Sequence, residues 1–293
     1  MGQPTELGKT VDDMVASLIA HPEKKKLLNP IPISSFEYDI AKDSKGVIIK
    51  AYKGSVPAIV KIPETIEGIK VTEIIISNAF NNAQILVFPD TVNRIGGAMN
   101  GQKLKLILFP KNIKQIDAAF KYLQPSMNLI LPEKLEVITY ESFYGINIDT
   151  LTIPDSVTEI ERYAFQYGKI GKLKLPNKLI KIGRSAFEKC QIKNLRLPNG
   201  LKVIGDYSFA DNPFVNLVIP ESVEVIGSGA FVACENLENV TVSNKKIKHS
   251  STSPYPSDST YSTFWYCPPF YKCPSLSMKS KQAIRVTGYT YDF

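Results

Sequence analysis

The side chains that most often perform chemistry are scarce in this chain. Its 293 residues include only two histidines, His21 and His249, and four cysteines. A structural zinc site needs a tetrahedral set of such ligands at close spacing, and these residues do not supply one. The sequence contains no phosphate-binding loop, nucleophile elbow or zinc-protease motif. We therefore expect no enzyme activity, no metal and no cofactor.

The four cysteines form two pairs with different expectations. Cys190 and Cys234 occupy the same position of a repeated segment, two periods apart. If the segments stack, the two sulfur atoms are too far apart to bond, so we expect buried, reduced thiols. Cys267 and Cys273 are six residues apart. They would close a small disulfide loop if the protein is exported.

Charge is the second chemical feature. The net charge is +7, which favours anionic partners modestly. Between Lys169 and Lys202 there are ten Lys or Arg residues, and the only acid is Glu188. These cations occupy most outward positions and predict a basic belt, which is either a solvated surface or a site for an acidic protein or sulfated glycan. We expect no nucleic-acid partner, because the belt lacks aromatic side chains for base stacking.

A repeat positions these residues. Its prolines are Pro63, Pro89, Pro110, Pro132, Pro154, Pro176, Pro198 and Pro220. From Pro110 onward they recur every 22 residues, and phenylalanines such as Phe165 and Phe187 follow a proline by 11 residues. A fixed period of this length predicts a solenoid, because one unit cannot bury its apolar face alone and must stack on its neighbours.

A strand precedes each proline. The residues one and three before it are apolar in every repeat, as Leu173 and Leu175 are before Pro176. This alternation predicts a β-strand whose remaining residues face outward. Apolar residues three and six after the proline make a second inward segment. The pattern as a whole predicts an α/β repeat solenoid with one parallel sheet on one face.

The outward strand positions change character along the chain. In the early repeats they are apolar, namely Ile85, Val87, Leu106, Leu108 and Ile130. In later repeats they include Lys172, Lys174 and Arg196. A contiguous apolar patch on a sheet face usually marks an interface. We take these eight residues as candidate partner contacts; the alternative for the apolar patch is that the N-terminal helix covers it.

The ends of the chain depart from the repeat. The predicted parts are an N-terminal arm and helix (1–32), a cap hairpin (33–62), about eight repeats (63–243), and a C-terminal loop, aromatic segment and cap (244–293). Thr10 and Asp13 have the spacing of a capping box for the first helix. The segment FWYCPPFYKCP either covers the last coil or offers a ligand platform. A short helix is expected over 275–287.

The unit IPxxVxxIGxxAFxxC resembles the BspA-like leucine-rich repeat, which occurs in bacterial surface proteins and in some protist proteins. FEYDI and YKGSVPAIVKIPETIEGIKVTEI resemble the N-terminal cap of that family, and the tail SLSMKSKQAIRVTGYTYDF resembles a C-terminal segment of some members. The resemblance implies a right-handed leucine-rich-repeat superhelix with short helical turns. It also implies a role in adhesion, matrix binding or co-aggregation, without a shared catalytic site.

These observations lead to one main expectation and two alternatives. The main one is a non-enzymatic, cell-surface or secreted adhesin that binds a protein or extracellular-matrix ligand through the strand face. The first alternative is an intracellular scaffold with one protein partner. The second is a binder of anionic glycans through the belt at 169–202. The N-terminus lacks a signal-peptide pattern, and no apolar run has the length of a membrane span.

Overall fold

Each repeat of the sequence forms one coil of a parallel β-solenoid with little helix. In the computed structural model the chain divides into two units, residues 1–135 (unit 1) and residues 136–293 (unit 2). The structure describes residues 5–8, 10–42, 45–124, 129–244, 246–249 and 268–287. The right-handedness implied by the resemblance stays a prediction.

The described residues of unit 1 form one α-helix followed by eleven short strands. Helix α1 spans Val11–Ala20, and short 3₁₀ segments span Thr5–Leu7, Pro22–Leu27, Ile33–Ser35 and Asn78–Asn82. The strands are β1 (Phe36–Ile40), β2 (Val47–Tyr52), β3 (Ile59–Lys61), β4 (Thr65–Ile66), β5 (Ile69–Ile76), β6 (Ile85–Val87), β7 (Arg94–Gly97), β8 (Met99–Asn100), β9 (Leu106–Leu108), β10 (Gln115–Ile116) and β11 (Phe120–Lys121).

The strands of unit 1 form three sheets. The longest has the order β1-β2-β5-β7-β10, with β4 paired to β5. Strands β1 and β2 form an antiparallel hairpin, and β2 then pairs with β5 in parallel, so the hairpin covers the edge of the first coil. Strands β3, β6 and β9 form a second parallel sheet, and β8 and β11 a third.

In unit 2 the part of the chain that the structure describes forms ten strands and one helix. The strands are β12 (Val137–Ile138), β13 (Asn147–Thr152), β14 (Glu159–Ile160), β15 (Lys169–Lys174), β16 (Lys181–Ile182), β17 (Val203–Ile204), β18 (Asn216–Ile219), β19 (Val225–Ile226), β20 (Asn239–Val242) and β21 (Lys248–His249). Helix α2 spans Met278–Arg285, inside the segment where a short helix was expected.

The coils of unit 2 carry two columns of strands, where the sequence predicted one sheet. The column before each proline is interrupted and forms the pairs β13–β15 and β18–β20. The second inward segment forms the continuous sheet β12-β14-β16-β17-β19-β21. Its strands are two residues long, and Ile160 pairs with Ile182 of the next coil. Only the buried isoleucine position and its neighbour reach the ladder, so the strands stay short.

The phenylalanine column is the centre of the unit 2 core. Phe165, Phe187, Phe209 and Phe231 are fully buried. Successive rings lie 5.1 Å, 5.4 Å and 5.8 Å apart, with no more than 8° between their planes. Since each ring touches the rings above and below, neighbouring coils share one core, as the repeat predicted.

Turns with left-handed residues replace helix where the coil reverses. The residues two before and two after each phenylalanine have positive φ, for example Tyr163 at 60° and Tyr167 at 58°. Gly145 and Gly229 fill two of these positions without strain. A left-handed residue ends a helical segment, so the turns cannot extend into helices.

In several coils the side chain three after the phenylalanine ties the coil to the one before. The Cys190 thiol donates to the Phe165 carbonyl oxygen at 3.0 Å, and the Cys234 thiol donates to the Phe209 carbonyl oxygen at 3.3 Å. Both cysteines are buried free thiols, as predicted. Asn212 holds the same position and donates to the Phe187 carbonyl oxygen at 2.8 Å.

The last coil is completed by residues beyond a long insertion. Phe270 follows Phe231 by 39 residues, 17 more than the period, yet the two rings stack 5.2 Å apart. Cys273 Sγ then donates to the Phe231 carbonyl oxygen at 3.1 Å. The aromatic segment therefore covers the last coil through Phe270. Residues 264–267 of that segment, including Cys267, lie outside the described residues, so a Cys267–Cys273 disulfide and a ligand platform stay untested.

Candidate binding surfaces

The outward face of the β3–β6–β9 sheet carries the predicted apolar patch. Ile85 pairs with Leu106, and Val87 pairs with Leu108, on neighbouring strands. Ile85 and Leu106 have no exposed surface, and Val87 is 2% exposed. The expectation that these side chains lie open to a partner is wrong in this structure. Helix α1 covers them, which is the alternative that the sequence left open.

Helix α1 reaches this face through an apolar stripe. Met14, Val15 and Leu18 are buried in one cluster with Ile85, Val87 and Leu106, and Leu108 is partly buried against it. The helix begins at the predicted capping box, in which the Asp13 amide donates to the Thr10 hydroxyl at 3.1 Å. The helix and the unit 1 strand face both bury apolar surface in this contact, which stabilises α1 on the sheet.

Polar contacts at both ends of the helical segment fix its position. The Lys105 ammonium lies 2.7 Å from the Asp12 carboxylate. The Lys25 ammonium lies 3.0 Å from the Asp90 carboxylate and, against the opposing effect of burial, lowers the pKa of Asp90. Lys61 donates to the Leu28 carbonyl oxygen at 2.7 Å. Ile130 lies apart from this cluster and is 52% exposed, so it alone of the five apolar candidates is open to solvent.

The strand face of unit 2 is exposed and polar. Thr150 pairs with Lys172, and Thr152 pairs with Lys174, across β13 and β15. Both lysines are exposed, and so is Arg196, at the position equivalent to Lys174 in the next coil. On β18 and β20, Asn216 pairs with Asn239 and Val218 pairs with Thr241, and all four residues are exposed. The structure therefore brings the three basic candidates onto one accessible surface.

We define the unit 2 strand face as two outward columns of residues. The first column is Thr150, Lys172, Asn194, Asn216 and Asn239, and the second is Thr152, Lys174, Arg196, Val218 and Thr241. Neither column contains an acid. Ammonium and guanidinium groups at this spacing can pair with carboxylates or sulfates of a partner. Mobile exposed cations speed encounter with an anionic partner more than they add to final affinity.

The basic belt is only partly available. The Lys181 ammonium pairs with the Glu159 carboxylate at 2.7 Å, and the Lys202 ammonium pairs with the Glu224 carboxylate at 2.8 Å. The ammonium of Lys189 lies 5.4 Å from the centre of the Tyr167 ring. These contacts tie Lys181, Lys189 and Lys202 to partners inside the chain, whereas the cations of the strand face stay exposed.

The buried thiols show no sign of nucleophilic function. Burial raises the pKa of Cys190 and of Cys234 well above the ordinary value for a thiol. A thiol that stays protonated is a poor nucleophile. Their hydrogen bonds to carbonyl oxygens of the preceding coil account for both residues as parts of the turn.

The sequence analysis missed a group of tyrosines on the turns of unit 2. Tyr140, Tyr144, Tyr163 and Tyr167 lie near the phenylalanine column of two neighbouring coils. The signal that would have found them is the aligned repeat itself, in which an aromatic residue follows or precedes the phenylalanine within three positions. We name these four residues the tyrosine patch.

The sequence of residues 57–170 and 158–260 matches the BspA type leucine rich repeat region, in six copies. These segments together span more than half of the chain. The chain belongs to the BspA-type leucine-rich repeat family. The resemblance inferred from the repeat unit is thereby confirmed. Among curated proteins, none matches this BspA-type chain.

A solved bacterial structure shares the fold of this BspA-type protein, and a second one is similar to it at a lower TM-score. A leucine-rich repeat protein from Bacteroides ovatus is 22% identical with a TM-score of 0.54, and the match covers 85% of this chain and 70% of that one. A leucine rich cell surface protein from Faecalibacterium prausnitzii is 21% identical with a TM-score of 0.43, covering 85% and 82%. The first of these shows a common solenoid fold. Among the described residues of the BspA-type chain, no helix is long and apolar enough to cross a membrane.

Proposed function

We propose that this protein is a non-enzymatic binding module of the adhesin type, at the cell surface or secreted, which binds a macromolecule through the unit 2 strand face. One observation carries the proposal. Lys172, Lys174 and Arg196 are exposed together on two columns without an acid. The equivalent face of unit 1 is occupied by helix α1, so the partner site is assigned to unit 2.

The composition of the face indicates an acidic protein surface as partner. The three cations can orient carboxylates, while the Asn and Thr side chains supply both donors and acceptors for a peptide backbone. Val218 is 58% exposed and adds apolar area at one end of the face. A polar surface of this kind suits a reversible complex in which electrostatic steering sets the association rate.

A sulfated glycan is the second candidate partner. Lys169 is exposed on β15 beside Lys172 and Lys174, which lengthens the row of cations to three on one strand. A linear polyanion would bind such a row with steep salt dependence, because bound counterions are released. A protein partner that also contacts Val218 and the Asn and Thr side chains would show a shallower dependence.

The location rests on family membership. The matched family is the BspA-type leucine-rich repeat family. The sequence resemblance to this family implied a surface location and a role in adhesion. Antibody labelling of intact native cells, before and after external protease, tests this part. Labelling that appears only after permeabilisation would favour the intracellular scaffold instead.

The site is tested by charge reversal on the strand face. The double variant Lys172→Glu with Arg196→Glu is compared with Lys70→Glu with Lys246→Glu, which reverses two exposed lysines outside both the strand face and the belt at 169–202. Both are measured by biosensor against immobilised heparin and against protein partners captured from host and self extracts. We expect the strand-face variant to associate at least about tenfold more slowly than the control. Equal association by both variants would place the site elsewhere.

A further inference from the structure

The tyrosine patch presents four aromatic rings on two neighbouring turns of unit 2. The Tyr140 and Tyr163 rings lie 5.9 Å apart at 77°, and the Tyr144 and Tyr167 rings lie 5.6 Å apart at 58°. Tyr140 is 38% exposed and Tyr167 is 49% exposed. Packing of the core does not require this exposure, because the phenylalanine column beneath the turns is already closed.

Cations hold the outer rings in place. The guanidinium carbon of Arg162 lies 4.9 Å from the centre of the Tyr140 ring, and the Lys189 ammonium lies 5.4 Å from the centre of the Tyr167 ring. Cation–π contact and ring contact together restrict the side-chain rotamers. The rings are therefore ordered before any ligand arrives, which lowers the entropy cost of binding.

The backbone beneath the patch is left-handed, as it is at the same turn positions in other coils of unit 2. Tyr163 and Tyr167 adopt φ values of 60° and 58°, at positions where Gly229 and Gly145 serve other coils. A left-handed residue with a side chain is less favourable than glycine there. Ser185 and Lys189 hold the same two left-handed positions one coil later, so the turn itself does not require an aromatic residue at Tyr163 or Tyr167.

Acceptors and donors are interleaved with the rings. A Glu161 carboxylate oxygen accepts from the Tyr140 amide at 3.0 Å, and a Glu188 oxygen accepts from the Gln166 side-chain amide at 2.8 Å. Each carboxylate keeps lone pairs for a further donor. A hydrogen bond to Glu141 raises the pKa of Tyr140 to about 12, which keeps its phenol protonated.

The charges around the patch select against a polyanion. Glu141, Glu161 and Glu188 stand beside the rings with the cations Arg162 and Lys189, so the acids are at least as many as the bases. Phosphate or sulfate groups would meet these carboxylates. A proline-rich peptide suits aromatic grooves but brings few donors, because proline has no amide proton for the carboxylates.

We propose that the tyrosine patch is a binding site for a neutral polysaccharide. Sugar rings offer apolar C–H faces to Tyr140 and Tyr167, and their hydroxyl groups both donate to the carboxylates and accept from Arg162 or Gln166. The site spans two coils, whose paired rings lie 5.9 Å and 5.6 Å apart. It shares no residue with the unit 2 strand face, so the test of one site does not decide the test of the other.

Native affinity electrophoresis tests the site. The whole protein is run in gels that contain laminarin, dextran, galactomannan, xyloglucan or arabinoxylan, with heparin and polyproline as the charged and peptide alternatives. We expect retardation in at least one neutral polysaccharide. Tyr140→Ala with Tyr167→Ala should weaken that binding about tenfold or more. Tyr140→Phe with Tyr167→Phe should retain most of it, because the rings remain.

A matched control is available on another turn. Tyr271 is 42% exposed, and its ring lies 5.6 Å from the Lys272 ammonium. In the part of the chain that the structure describes, no second tyrosine pairs with it. Tyr271→Ala should therefore leave polysaccharide binding unchanged, as should Lys172→Glu with Arg196→Glu. Thermal melts establish that each variant is folded.

Three outcomes would overturn the proposal. The first is that none of the five neutral polysaccharides retards the protein. The second is that the folded Tyr140→Ala, Tyr167→Ala variant binds as tightly as the original protein. The third is that only heparin or polyproline binds, which would assign the surface to an anion or to a peptide.

Discussion

The Phe187 ring lies 5.4 Å from the Phe209 ring, and the two planes are 5° from parallel. On its other side Phe187 meets Phe165 at 5.1 Å. All three side chains are fully buried. One ring therefore forms part of the core of three coils, and its loss is felt on both sides.

Replacing Phe187 by alanine should destabilise the protein by about 3–5 kcal/mol, because it opens a cavity that neighbouring coils cannot close. Chemical denaturation with circular dichroism measures the loss. Met99 takes the aromatic position in one coil of unit 1 and is 1% exposed. Its flexible side chain packs less specifically, so Met99→Ala should cost less. Equal, small losses at both positions would contradict the assignment of the phenylalanine column to the core.

Relief of backbone strain should stabilise the turns. Ala233 has φ of 56°, and glycine there would remove a penalty of about 1–2 kcal/mol while adding about 0.5–1 kcal/mol of chain entropy in the unfolded state. Ala233→Gly should therefore raise stability by about 0.5–1 kcal/mol. Gly229→Ala should lower it, since a Cβ there would lie 2.6 Å from the Tyr207 ring. A stability loss in Ala233→Gly would show that backbone strain at Ala233 is negligible.

Asn212 joins two coils through four hydrogen bonds. Its side-chain nitrogen donates to the carbonyl oxygens of Phe187, Phe209 and Ala210, and its oxygen accepts from the Ile192 amide at 2.9 Å. Asn212→Ala removes the donor to the Phe187 carbonyl oxygen and the acceptor for the Ile192 amide, and should cost about 3 kcal/mol. The Phe209 and Ala210 carbonyl oxygens keep the Cys234 thiol and the Lys189 amide as donors. Asn212→Cys should cost clearly less, because a thiol already fills this position in other coils. The comparison is made by urea denaturation, and equal costs would refute the shared role.

The buried thiols should resist alkylation. An ordinary cysteine, with a pKa of about 8.5, is largely thiolate at mildly alkaline pH. Burial raises the pKa of Cys190 and Cys234, so both stay protonated there and are shielded as well. Iodoacetamide labelling followed by peptide mass spectrometry should show slow modification of both until urea unfolds the protein. Rapid labelling in the native state would mean that the turns open.

Helix α1 should leave the sheet when its buried face is charged. Leu18 has no exposed surface, whereas Ala16 is exposed on the same helix. Leu18→Asp places an unpaired carboxylate against the apolar cluster, which is strongly unfavourable. Hydrogen exchange should show lost protection in residues 11–20 and a retained strand core. Ala16→Asp should keep α1 protected; if it loses protection equally, helix propensity and not docking holds the segment.

The periodic parts of the molecule were predictable because each coil faces the same environment. The phenylalanine column and the thiol position recur at one spacing, and a buried site tolerates few residue types. The capping box was predictable because Thr10 and Asp13 act locally. The two-residue strands could not be predicted. Their apolar residues, such as Val157 and Ile160, are three apart, and this spacing lacks the alternation that predicts a β-strand.

The binding surfaces were harder to predict because their exposure depends on which other segments of the chain pack against the repeats. Ile85 and Val87 read as an open patch or as a covered one, and only the packing of α1 decides between them. Tyr163 and Tyr167 escaped notice because their columns hold Ser185 and Lys189 one coil later. Phe270 escaped notice because 17 inserted residues hide its register.

The stacked rings of unit 2 also determine how such a molecule can change in length. An internal coil meets its two neighbours through the same contacts that they would make with each other, since the Phe165, Phe187 and Phe209 rings stack almost identically. Removal of the 22 residues 176–197 would lose two coil interfaces and create one of the same kind. Removal of a few residues would instead misalign every ring after the cut. The array is therefore modular, and whole coils are the unit in which it can grow or shrink.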